Sequence, residues 1–241
     1  MNYLDNERLA AVDVAAFRAT RPYPWLNPQG LLTEEGFRRL RDTLPDPALF
    51  DRKFGVARQH GQYPHDRLTL EYSEDLDIAP EWHAFVEELR GPLYREFISA
   101  TFARRAFLLN FHWHYTPNGC SVSPHCDAMR KLGSHIFYFN TADDWDPSWG
   151  GETLILDDNG RFDRKSAPRF EDFDKVIASQ SLDNRSLLFA RGESSWHGVR
   201  DIRCPPDRYR KVFIVVVNSW LGATGRRLLG AVTGRQEVVY Y

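Results

Sequence analysis

The chain has 241 residues, 42% of them hydrophobic and 14% aromatic, with a formal net charge of −2 at pH 7. That is enough apolar material for a sizeable core, and the charge balance gives no field that would gather nucleic acid or an anionic membrane. No apolar run reaches transmembrane length, and the start MNYLDNERLAAVDV lacks the basic and apolar regions of a signal peptide, so a cytoplasmic protein is expected.

Residues 1–20 read as a short amphipathic helix or arm, followed by the proline-punctuated extended segment Arg21-Pro22-Tyr23-Pro24-Trp25. Thr33 caps a helix carrying Phe37, Leu40 and Leu44, which Pro45 stops. The alternation in RLTLEY (67–72) predicts a strand. Trp82, Phe85, Val86, Leu89, Leu93 and Phe97 then recur at helical spacing from about Pro80 to Ala100.

From Phe107 the pattern changes to short strands divided by Gly, Pro, Asn and Asp: Phe107–Tyr115, Ile136–Asn140, Thr153–Leu156, Ser186–Ala190, Glu193–His197 and Lys211–Asn218. Strands of this number and length predict a sandwich or barrel, with the helices of the first half covering one sheet. The charged stretch 157–181 reads as a lid or a mobile connection, and Leu221–Val232 as a closing helix. One domain over 1–241 is expected: mostly helical support and substrate-side elements over 1–104, a β core over 105–220, and a C-terminal helix and tail over 221–241. Cys120, Cys126 and Cys204 form an odd set without a repeated spacing, which fits reduced thiols better than a disulfide framework.

The residues that carry chemistry are His125 and Asp127, in Ser123-Pro124-His125-Cys126-Asp127. Two residues apart, they share one face of an extended strand, and Cys126 points to the other face as packing material. With a second histidine from a distant strand, His197 in Ser195-Trp196-His197-Gly198-Val199, they would complete a 2-His-1-carboxylate set, the ligand type of non-haem Fe(II) oxygenases. Two neutral imidazoles and one carboxylate leave Fe(II) with a residual positive charge, which favours an anionic, chelating organic acid. Arg210 or Lys211, opening an apolar strand, can hold the far carboxylate of such an acid. The arginine fork suits a carboxylate better, but both faces of that strand are apolar and alternation does not choose between the two.

His112 and His114 flank Trp113 and share a strand face; with no carboxylate evident nearby, a packing or substrate-facing role is expected rather than a second metal site. His135 reads as a strand residue, Arg58 and Arg67 as surface charge, and Gly150-Gly151 as a turn that passes close to its neighbours.

Taken in order, these pieces resemble the prolyl-hydroxylase-like branch of the 2-oxoglutarate/Fe(II)-dependent oxygenases. The resemblance covers about Phe107 to Trp220: Tyr115, His125-x-Asp127, Tyr138-Phe139-Asn140, Trp149-Gly150-Gly151-Glu152-Thr153, Asn184-Arg185-Ser186-Leu187-Leu188-Phe189, Trp196-His197-Gly198-Val199, and Arg210. It implies a mainly β fold with helices, a double-stranded β-helix (jelly-roll, cupin-like) with helices packed on the major sheet. It implies His125, Asp127 and His197 as catalytic metal ligands, Arg210 pairing with the distal carboxylate of 2-oxoglutarate, and Tyr138 and Tyr115 as cofactor-binding tyrosines. The cofactors implied are Fe(II), 2-oxoglutarate as cosubstrate, and dioxygen.

The activity implied is hydroxylation of an unactivated C–H bond of an amino-acid, peptidyl or small-metabolite substrate, with release of succinate and CO2. The same iron chemistry with a desaturation, demethylation or cyclisation outcome is one alternative, and a cupin-like metal-binding module or isomerase is an alternative of another class. Asp127 weighs against halogenation, since related halogenases carry a small residue at that position. Small-molecule or peptidyl substrates are the expected partners, with no nucleic acid and no membrane; oligomeric state is not read from the sequence.

Overall fold

In the computed structural model, residues 2–220 are described. The closing helix expected over 221–232, and the tail with it, lie outside the described residues.

The amino-terminal arm is two short helices, α1 (Asn6–Ala10) and α2 (Val14–Ala19), capped by Asp5 and Asp13, whose carboxylates accept from Arg8 and Ala16 amides. A short strand β1 (Trp25–Leu26) and helix α3 (Glu34–Asp42) follow, the Thr33 hydroxyl accepting from the Gly36 amide. After β2 (Asp51–Lys53) and β3 (Arg67–Glu71), the stretch expected as one helix is two: α4 (Pro80–Arg90) and α5 (Pro92–Phe102). Gly91 is extended, and Pro92, which has no amide hydrogen to donate, opens the second helix instead of continuing the first.

Strands β4 (Phe107–Pro117), β5 (Val122–His125), β6 (Lys131–Tyr138), β7 (Leu154–Asp157), β8 (Lys175–Ala178), β9 (Ser186–Ala190), β10 (His197–Val199) and β11 (Tyr209–Ser219) complete the chain. They form a seven-stranded sheet, β1-β9-β6-β11-β4-β3-β2, and a four-stranded sheet, β5-β10-β7-β8. The jelly-roll expectation, mainly β with helices on the larger sheet, stands. No helix among the described residues is long and apolar enough to cross a membrane.

Strand β11 explains the arrangement. Phe213, Val215 and Val217 join Trp82, Phe85, Val86 and Leu89 of α4 in the helix-side core, whereas Val212, Ile214 and Val216 face Ile155 of β7 between the sheets. Both faces are buried, so the strand reads as a continuous apolar run without alternation. Burying each large side chain of α4 stabilises the helix layer by roughly 1.5–3 kcal/mol, which is what holds the helices to this sheet.

Two expectations are corrected here. The strand placed at Glu193–His197 is β10, beginning only at His197, because Ser195 and Gly192 close a turn before it, the Ser195 hydroxyl accepting from the Gly192 amide at 2.9 Å. The connection 157–181 is folded: β8 pairs with β7, and Phe162 and Phe173 pack against Trp196 with ring centroids 6.3 and 5.8 Å away. Its charged residues concealed the aromatic pair that fastens it down.

Candidate metal centre

The register between β5 and β10 sets His125 opposite His197, and their rings lie 4.3 Å apart. Strand β5 ends at His125, so Asp127 comes to the site from the following turn rather than along a shared strand face. One ligand atom from each of His125, Asp127 and His197 lies within 4.8 Å of the others, the group of this kind found among the described residues. Cys126 turns away toward the Trp196 cluster, and burial pushes its thiol up to about 12.

The donor chemistry fits a divalent first-row metal. His125 Nδ1 lies 2.9 Å from the Ser123 carbonyl oxygen, and His197 Nδ1 2.9 Å from that of Ser195. A carbonyl can only accept, so both rings carry hydrogen on Nδ1 and keep the Nε2 lone pair for a metal. Burial holds both rings below the usual histidine range, in the neutral ligand form. Burial opposes ionisation of Asp127, but Lys131 and the two histidines outweigh it and hold the carboxyl well below its usual range. Lys131 Nζ donates to Asp127 Oδ1 at 2.7 Å, and the Ser134 hydroxyl approaches Oδ2 at 3.4 Å.

Across the cavity, β11 presents Arg210. It is in phase with Val212 and points between the sheets, donating through Nε to the Gly151 carbonyl and through Nη2 to Thr153 Oγ1 at 3.0 Å. Gly150 and Gly151 have φ of +80° and +103°, values that favour glycine, and the Arg210 Cδ would lie 3.3 Å from a Cβ at Gly151. Lys211 is in phase with Phe213, points outward, and pairs with Asp144 at 3.0 Å. The parity of β11 therefore puts Arg210 on the cavity wall and Lys211 on the opposite face.

The tyrosines divide. The Tyr138 hydroxyl donates to Thr153 Oγ1 at 2.8 Å and lies 3.0 Å from Ser179 Oγ, and the Arg210 guanidinium sits 5.5 Å from its ring centroid. Tyr138 thus stands behind Thr153 and Arg210. Tyr115 is a correction: it points to the helix side, stacks on Phe50 at 4.2 Å and donates to the Pro45 carbonyl at 3.1 Å. The inward positions of β4 are instead His112 and His114, which line the cavity with the triad. Trp113 and Trp196 belong to the cores, and Asn218 donates to Asn110 Oδ1 at 2.9 Å, away from the cavity wall.

Arg67, expected as surface charge, is 7% exposed and lines the same cavity, as do His65, Lys131 and Thr153. His65 packs 4.4 Å from His125, and its Nε2 lies 3.1 Å from Ser123 Oγ. The signal for Arg67 was present: RLTLEY puts Arg67, Thr69 and Glu71 on one face and Leu68 and Leu70 on the other. Without knowing that the leucines face helices, the polar face reads as solvent.

Residues 111–220 match the family model described as 2OG-Fe(II) oxygenase superfamily. Among solved structures, the chain is similar to a Pseudomonas putida prolyl-4-hydroxylase, with 18% identity, a TM-score of 0.60, and 88% of this chain and 98% of that chain covered. It is similar to a Trichoplax adhaerens prolyl hydroxylase in complex with a hypoxia inducible factor peptide fragment, with 16% identity, a TM-score of 0.63, and 92% and 93% covered. A third is the non-heme alpha ketoglutarate dependent carbocyclase SnoK from nogalamycin biosynthesis, with 11% identity, a TM-score of 0.59, and 88% and 85% covered. A search of curated protein sequences finds no match.

Proposed function

We propose that the chain, whose residues 111–220 match the 2OG-Fe(II) oxygenase superfamily, hydroxylates an unactivated C–H bond of an amino-acid, peptidyl or small-metabolite substrate, releasing succinate and CO2. His125, Asp127 and His197 hold the iron, and Arg210 with Thr153 holds the distal carboxylate of 2-oxoglutarate. Tyr138 is a positioning residue in this reading, since it keeps Thr153 and the guanidinium in place rather than touching the cosubstrate. The observation that carries the assignment is the pairing of two Nδ1-anchored histidines and a carboxylate with a buried arginine on the facing sheet.

Bound Fe(II) with 2-oxoglutarate and dioxygen supplies the oxidising power. The protein's own share is geometric and electrostatic. The Ser123 and Ser195 carbonyls fix the imidazole orientation, Lys131 and Ser134 orient the Asp127 carboxylate, and the Gly151 carbonyl and Thr153 fix the Arg210 fork. Phe189, Ile136, Ile214 and Val199 on the cavity wall keep water from the reacting centre.

The test is an anaerobic titration of the Fe(II) protein with 2-oxoglutarate, followed by a turnover screen across free amino acids, peptides and metabolites read by succinate and product mass. A charge-transfer band and succinate formation are expected, and both should vanish in His125→Ala. Absence of both in the wild-type protein would refute the reading. The similarity to a carbocyclase favours a second outcome of the same chemistry, desaturation or ring closure. Product mass separates them, because hydroxylation adds an oxygen atom and the others remove two hydrogens.

A further inference from the structure

The Asp127 carboxylate has a cation of its own. Between β5 and β6 the turn is closed by the Lys131 amide, which donates to the Ala128 carbonyl at 2.9 Å. Lys131 then opens β6 beside Asn218 of β11, and the next residue, Leu132, accepts from the Arg191 amide at 2.9 Å. With the backbone clamped on both sides, the side chain runs back over the turn and sets Nζ 2.7 Å from Asp127 Oδ1. The two side chains are 7% and 6% exposed. Asp127 Oδ2 has the longer contact, 3.4 Å to the Ser134 hydroxyl, so the two oxygens of the candidate ligand are unequally engaged.

Both side chains line the cavity that holds His125 and His197. An ion pair withdrawn from water is weakly screened, so the ammonium acts on every charge brought to the triad. It repels a divalent ion and attracts an organic dianion. It also competes for a carboxylate oxygen. An octahedral ion held by two histidines and both oxygens of Asp127 would keep two positions, which a chelating 2-oxo acid fills. Held through one oxygen, it keeps a third for dioxygen.

We propose that Lys131 is a positioning residue that decides how Asp127 meets the metal. It retains Oδ1, leaves Oδ2 as the one donor, and by its charge weakens the hold on the cation while strengthening the hold on 2-oxoglutarate. This rests on the oxygenase reading and deepens it, from the orientation of the carboxylate to the number of its donors and the balance of two affinities. The sign of the effect separates this role from that of a strut. Without the ammonium, a divalent ion is the cation that the buried carboxylate lacks, and it binds with no like charge beside it. A strut, once lost, would loosen the metal and the cosubstrate together.

The measurements are Zn(II) affinity by competition with a chromogenic chelator, 2-oxoglutarate affinity of the Zn(II)-loaded protein by calorimetry, and the Lys131 ammonium resonance in 1H–15N spectra. In Lys131→Met, Zn(II) should bind at least threefold more tightly and 2-oxoglutarate at least threefold more weakly. Lys131→Gln keeps a neutral donor toward Oδ1; it should shift both affinities in the same directions, and it carries the test if Lys131→Met does not fold. In the wild-type protein the ammonium resonance, protected from exchange by its hydrogen bond, should persist when Zn(II) is added. Weaker Zn(II) binding in the variants, unchanged affinities in both, or loss of the ammonium resonance on Zn(II) addition would overturn the proposal. A wild-type protein that bound Zn(II) but not 2-oxoglutarate would instead refute the oxygenase reading.

Discussion

Replacing Arg210 by Gln tests the orientation of the whole site. Arg210 is 6% exposed and its guanidinium is fixed by the Gly151 carbonyl and Thr153, so it is already aligned when a carboxylate arrives. Removing one partner of a buried, hydrogen-bonded charge pair costs about 2–5 kcal/mol. At about 1.4 kcal/mol per decade, the 2-oxoglutarate Kd should rise by roughly 30-fold to several thousand-fold. Arg210→Lys should fall between, because an ammonium keeps the charge but loses the planar fork. Lys211→Gln removes a partly exposed pair with Asp144, worth about 0–1 kcal/mol, and should leave the Kd within about threefold. The assay is anaerobic titration of each Fe(II)-loaded variant, with circular dichroism as the check on folding. The parity argument fails if Arg210→Gln shifts the Kd less than fivefold, or if Lys211→Gln shifts it as much as Arg210→Gln does.

Tyr115→Phe should lower stability by about 1–3 kcal/mol, since it leaves the buried Pro45 carbonyl without its donor, and should leave 2-oxoglutarate affinity unchanged. A tenfold loss of that affinity would return Tyr115 to the cosubstrate site. Gly133→Ala should cost about 1–3 kcal/mol or more, read as a Tm drop of about 2–4 °C per kcal/mol, because its Cβ would collide with the Phe189 carbonyl and the Phe102 ring; an unchanged Tm would contradict that packing. Burial depresses His135 to about 3, below the ordinary value of about 6.5. Between those values the unfolded chain binds a proton that the fold excludes, so stability falls as pH drops through the window, by up to about 1.4 kcal/mol per pH unit, with no contribution above it. Denaturant titrations of metal-free His135→Leu at pH 7, 6 and 5 should show a shallower decline than wild type, despite the lost contact of His135 with the Tyr94 hydroxyl; parallel profiles would contradict it.

Where the sequence could be read, one side of an element was buried and the other wet. The strand RLTLEY and the helix faces of Trp82 to Phe97 were legible for that reason, whereas His125 and His197 were legible from the His-x-Asp spacing and the family resemblance. Where both sides are buried, as on β11, periodicity carries no phase, and only pairing with β4 and β6 told Arg210 from Lys211. Tyr115 failed through the same loss of phase, since a tyrosine and a histidine are equally at home in either wall of β4. Arg67 failed in the opposite sense: a polar face was taken for an outer one, although here the polar face looks into the cavity. The break at Gly91-Pro92 was written in the residues themselves and was outweighed by the helical spacing on either side.

The three candidate ligands belong to the smaller sheet and its turn, and Arg210 to the larger. Between the sheets lie Ile155 against the β11 valines, and the Tyr23 hydroxyl donating to the Trp196 carbonyl at 2.8 Å. A molecule held at one end by a metal and at the other by Arg210 would add a further link between two leaves already tied by Arg210 and Tyr138 on Thr153 and by Lys131 on Asp127. Strand β5, which carries His125, is the outermost of its sheet and is met on its other side only by the single His65–Val122 bridge and the Ser123 contacts with His65 and Tyr63 among the described residues. Bracing bears on that strand first, so the cosubstrate would firm the framework that later receives the substrate. Order of arrival then becomes a mechanical property of the sandwich as well as a chemical one.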